Sequence, residues 1–83
     1  MKLGSEILKV LNKKYAPSST IDTEFHRYDL TFKTDADGNP IQLFIGKRNE
    51  KGNVVGERFA RTLKYDPEGK VLKDHWDRKG PCT

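Results

Sequence analysis

Six cations, Arg27, Lys33, Arg48, Arg58, Lys64 and Arg78, recur through the last two thirds of this chain, with the aromatic side chains Phe44 and Trp76 among them. That combination has a definite chemistry. Arg and Lys neutralise phosphates or acidic side chains, and flat rings stack on unpaired bases or fill pockets on a protein partner. A second group of reactive types lies at His75, flanked by Asp74 and Asp77, with Arg61 expected across from it and His26 as the only other histidine. A general acid or base needs a pocket that shifts its pKa and holds a substrate. Nothing in so small a chain promises that enclosure, so we expect no enzyme, no catalytic residue and no cofactor. Two histidines without a paired cysteine also fall short of a metal set.

The lone cysteine, Cys82, excludes an internal disulfide and suits a reducing compartment. The apolar runs "ILKVL" and "LFI" are too short to cross a bilayer, and Glu6 and Lys9 interrupt any signal-peptide core. The expectation is a soluble, cytoplasmic protein without membrane partners. Its net charge of +4 permits attraction to acidic partners, but the placement of charge decides more than its total. Eighty-three residues make one domain with a small core, and a homodimer would add apolar burial.

The side chains above need elements to position them. Residues 5–15 read as a helix, with Ile7, Leu8, Leu11 and Tyr15 on one stripe flanked by Val10. Ser5 is the expected cap, Glu6 faces the positive end of the dipole, Lys13 and Lys14 the negative end, and Pro17 stops the helix. Residues 16–23 read as a linker. Three turn signals of one pattern follow: Asp35-Ala36-Asp37-Gly38, Asn49-Glu50-Lys51-Gly52 and Asp66-Pro67-Glu68-Gly69. Between them lie β-rich runs near 24–34, 41–48, 54–65 and 70–77, ahead of a tail at 79–83. The expected fold class is therefore α+β: an N-terminal helix packed on one face of a four-stranded antiparallel β-meander.

Register then assigns faces. A type I turn plus a glycine bulge in the last two hairpins sets Leu43 opposite Phe59, Phe44 opposite Arg58, Tyr65 opposite Val71 and Ala60 opposite Trp76. The same loop in the first hairpin would turn its two apolar sides apart. We therefore expect a tight Asp37-Gly38 turn or a four-residue loop there, setting Phe32 against Leu43 and Leu30 against Ile45. One face becomes the core. The other collects Phe44, Trp76 and the six cations, with only Asp29 and Asp74 opposing them, and Gly46 opposite Gly56 leaves backbone bare.

An open sheet face with two large aromatics and Leu72 asks for a partner. The working expectation is a non-enzymatic interaction module that binds a protein partner, or itself as a homodimer, through this face. Single-stranded nucleic acid on the same basic, aromatic surface is the alternative. Glu57 and Arg61 fall on the core face in this register, where they need partners to be buried.

Overall fold

The structure, a computed structural model, describes residues 3–82. One helix, α1 (Ser5–Leu11), precedes five strands: β1 (Thr20–Phe25), β2 (Tyr28–Thr34), β3 (Pro40–Arg48), β4 (Val54–Tyr65) and β5 (Val71–Cys82). The strands form a single antiparallel sheet in the order β1-β2-β3-β4-β5. The fold is α+β, with five strands where the sequence reading gave four.

The additional strand takes residues 20–23 from the expected linker and Glu24-Phe25 from the expected first strand at 24–34, which a turn at His26-Arg27 divides in two. Thr20-Ile21-Asp22-Thr23-Glu24-Phe25 alternates in burial, as a half-buried strand does, and it pairs with β2 from Thr20↔Lys33 to Phe25↔Tyr28. His26 makes the reversal by adopting φ 54°. Histidine is among the non-glycine residues enriched in that region, so the turn forms without glycine. The imidazole packs edge-on to Phe25 at 4.3 Å and its Nε2 lies 3.2 Å from Glu6 Oε2 of α1.

α1 is shorter than its apolar period. Gly4, not Ser5, is the N-cap, no side chain caps the first turn, and the helix ends at Leu11 with Asn12 as C-cap. Tyr15 stays on the core without being helical: its N–H donates to Gly38 O, its hydroxyl donates to Val10 O, and its ring meets Phe32 at 4.9 Å. Ile7 and Leu11 belong to one buried cluster with Leu30, Phe32, Leu43, Ile45 and Phe59. Each such side chain contributes roughly 1.5–3 kcal/mol by leaving water.

The three turns share one construction. Asp35, Asn49 and Asp66 each accept, through Oδ1, the N–H groups two and four residues ahead, and Gly38, Gly52 and Gly69 follow at φ 84°, 84° and 85°. The first hairpin thus uses the same loop as the other two, in place of the tight turn or four-residue loop expected there. Thr34 pairs with Pro40 and Lys33 with Gln42, leaving Ile41 as a bulge, so that Phe32 still meets Leu43 and Leu30 meets Ile45.

The last hairpin bulges in the same place. Tyr65 pairs with Val71 but Lys64 with Lys73, so Leu72 is the extra residue and every later side chain of β5 changes face. A second bulge, at Lys79, separates Phe59↔Arg78 from Arg58↔Gly80. The strand then continues through Pro81 to Cys82 where a tail was expected. Proline is tolerated there because β5 is an edge strand. Beyond the Gln42↔Ala60 pair β4 has no further β3 partner, so the outer ends of β4 and β5 pair only with each other. Tyr65, Val71 and Leu72, all well exposed, stand at that end.

Candidate interaction surfaces

The bulge at Leu72 redistributes the residues picked out by sequence. Trp76 lies opposite Arg61, not Ala60, and Arg78 opposite Phe59. Both therefore leave the open face for the core face, and Asp74, opposite Leu63, goes with them. His75 and Asp77 take the reverse path, and His75 Nε2 lies 2.7 Å from Asp77 Oδ1 on the open face. The sheet separates this pair from Asp74, so the acid–base group imagined around His75 is divided between two surfaces.

On the open face Phe44 remains, half-buried between Thr31 and Arg58. Lys33 is exposed beside it, and Arg58 is exposed with Nη2 donating to Lys79 O at 3.4 Å. Lys64 stands opposite Lys73 at the outer end of the sheet. Arg27 belongs to the β1–β2 turn, where its carbonyl accepts from Lys47 Nζ. Arg48 is not a free cation. Its Nη1 donates to Gly52 O at 2.8 Å and Thr31 Oγ1 at 3.1 Å and lies 3.5 Å from Asp22 Oδ1, while Nη2 donates to Leu30 O.

Register also brings Asp22 and Glu24 of β1 onto this face. Lys33, Arg48, Arg58, Lys64 and Lys73 now face Asp22, Glu24, Asp29 and Asp77, which is close to balance. A groove of about 490 Å³ opens here, lined by Thr20, Asp22, Lys33, Phe44, Asn53 and Cys82 among others. Gly46 and Gly56 face each other across β3 and β4, so close that a Cβ on Gly46 would collide with Val55 O.

The core face holds a polar node built on Arg61, one of the two charged residues expected there in need of partners. Arg61 is 6% exposed in its side chain. Its Nε and Nη2 donate to the two oxygens of Asp74 at 2.7 and 2.8 Å, a forked pair. Nη1 donates to Leu11 O, at the end of α1, and to Pro40 O, both at 3.2 Å, and Nη2 also reaches Asn12 Oδ1. The guanidinium lies over the Trp76 ring, 5.7 Å from its centroid. The hydrogen bonds from Arg61 hold the Asp74 carboxyl below its usual pKa, against the upward push of partial burial. Arg78 Nε donates to Glu57 Oε1 at 2.8 Å, which lowers the Glu57 pKa in the same sense.

Beside this node a cleft of about 470 Å³ runs between α1 and β5, lined by Leu3, Leu8, Phe59, Trp76 and Arg78 with Asp74 at hand. Trp76 Nε1 is buried and has no acceptor among the described residues. Among those residues there is no cluster of three or more potential metal ligands, and no helix long and apolar enough to cross a membrane. Compared with known proteins, the chain matches no family model, no curated protein and no solved structure.

Proposed function

We propose that this protein is a small non-enzymatic interaction module that holds a protein partner against the open face of its sheet, with α1 packed on the other face. The observation that carries the reading is the groove around Phe44, where a half-buried aromatic ring adjoins side chains of both charges. Interfaces draw much of their energy from such an anchor, and mixed charge at the rim selects a partner of complementary mixed charge. A polyanion is served less well. Phosphate recognition asks for an excess of cations, and stacking asks for exposed rings. The open face offers near-balanced charge and no tryptophan. A cytoplasmic setting belongs to the same reading, since a lone cysteine needs no oxidising compartment.

Selection from a displayed peptide library against the folded domain tests this. Enriched peptides, measured by fluorescence anisotropy, should bind Phe44→Ala about tenfold or more weakly, as loss of an aromatic anchor requires. Arg78→Ala, on the other face, should bind them unchanged. Peptides indifferent to Phe44→Ala refute the reading, and tight, salt-sensitive binding of a single-stranded oligonucleotide would restore nucleic acid in its place.

A further inference from the structure

We infer that the free edge of β5 pairs, strand to strand, with the β5 edge of a second copy of this chain, about a two-fold axis at Trp76. β5 has twelve residues and hydrogen-bonds to a neighbour on one side only. Such an edge is a template for another strand unless something blunts it. Its bulges at Leu72 and Lys79 bracket the regular run Lys73-Asp74-His75-Trp76-Asp77-Arg78. Pairing is confined to that window.

Symmetry narrows the register further. In an antiparallel pair related by a two-fold axis normal to the sheet, directly opposed residues share a face, so the axis must pass at a residue and not between two. At Trp76 it sets His75 against Asp77 of the second copy on the open face and Asp74 against Arg78 of the second copy on the core face. Symmetry repeats both pairs, so unlike partners meet at these four positions, and Lys73 of each copy falls opposite the bulged Lys79 at the end of the window. Moving the axis to Asp74, Asp77 or Arg78 opposes like charges at the centre, and at His75 it sets Asp74 against Trp76. Opposite charges directly across a strand pair stabilise and like charges destabilise, so the order of residues in this edge selects one register.

The core face supplies a second, independent reason. The cleft lined by Leu3, Leu8, Phe59 and Trp76 has β5 as one wall, so the same axis sets two such clefts side by side at the two Trp76 rings. The other free edge, β1, carries Asp22 and Glu24 with no cation, so it does not complement itself. The inference goes beyond the open-face reading and uses a different surface, so loss of either leaves the other standing.

Sedimentation of the full chain over a wide concentration range tests it. The mass should rise from the 9.5 kDa monomer to twice that value and stop. His75→Asp and Asp77→Lys, each mispairing two positions per dimer, should weaken the dimer roughly five- to tenfold, and the double variant should restore it, because it recreates an opposed acid and base. An unchanged far-ultraviolet circular dichroism spectrum in each variant shows that the fold is intact. A wild-type chain that stays monomeric at high concentration overturns the inference. So does a mass that keeps growing, which marks head-to-tail edge pairing, or a dimer indifferent to the single substitutions.

Discussion

Arg61→Ala should be the most damaging single truncation of a charged side chain in this protein. The side chain is nearly enclosed and spends its donors on Asp74, on the carbonyls of Leu11 and Pro40, and on Asn12. Asp74 is 38% exposed and can be rehydrated, so its share of the loss is small. Leu11 and Pro40 are fully buried, so their carbonyls exchange a charged donor for nothing, at about 1.5–3 kcal/mol each. The sum is about 3–6 kcal/mol, against a total stability of about 4–12 kcal/mol for a chain of this length. The midpoint of thermal unfolding should fall by roughly 15–30 °C. Arg61→Lys, with one ammonium in place of a fork, should recover only part of this. Urea unfolding followed at Trp76, which lies under the guanidinium, reads both variants. The pair also predicts an acid limb. The Asp74 pKa is lower in the folded chain than in the unfolded one, so its stabilisation is present above about pH 4 and fades as pH falls through the folded value. Arg61→Ala should flatten that limb. A loss below about 1 kcal/mol with an unaltered acid limb would refute the assignment of Arg61 as a buried tie.

Deleting Leu72 should be nearly neutral, costing at most about 1 kcal/mol, because it removes the bulge and leaves Tyr65↔Val71 and Lys64↔Lys73 paired as before. An emission maximum of Trp76 shifted to that of a solvated indole would show that the bulge is needed to keep the ring on the core face. Gly46→Ala should cost about 1–3 kcal/mol, since its Cβ would press on Val55 O and Gly56 Cα, backbone atoms that cannot swing aside. Circular dichroism melts measure it, and an unchanged midpoint would mean that β3 and β4 are less tightly held at the glycine pair than their geometry states.

The three turns are legible because Asp or Asn at the first position and Gly at the fourth each have one local job, and local jobs leave local signatures. The core cluster is legible for a related reason: Leu30, Phe32, Leu43 and Ile45 must share a face whichever loop joins them. β1 escapes because its reversal falls on His26-Arg27, without the glycine or asparagine that marks most tight turns. The bulge at Leu72 has no residue signature. It is visible only through the rule that already fixes the first hairpin, that facing strands must turn their large apolar groups the same way; applied to β5, that rule moves Trp76 beside Phe59. Once Trp76 and Arg78 cross the sheet, the basic aromatic surface read from the sequence is divided between two faces. Arg61 is the remaining case. Its burial is evident from its register, but its partners, Leu11, Pro40 and Asp74, come from three separate elements.

The tie between Arg61 and Leu11 spans fifty residues of chain, and that separation orders events during synthesis. A helix of seven residues is far below the length that holds together alone in water, so α1 gains its shape from what it meets. Those contacts come from strands made later, and the guanidinium that secures its last carbonyl emerges only when most of β4 has been translated. α1, which leaves the ribosome ahead of the strands it packs on, is thus fastened last, and until then Ile7 and Leu11 are exposed to whatever else in the cell binds short apolar segments. A ribosome halted before Arg61 should display α1 open to protease, and one halted after β5 has cleared the tunnel should not.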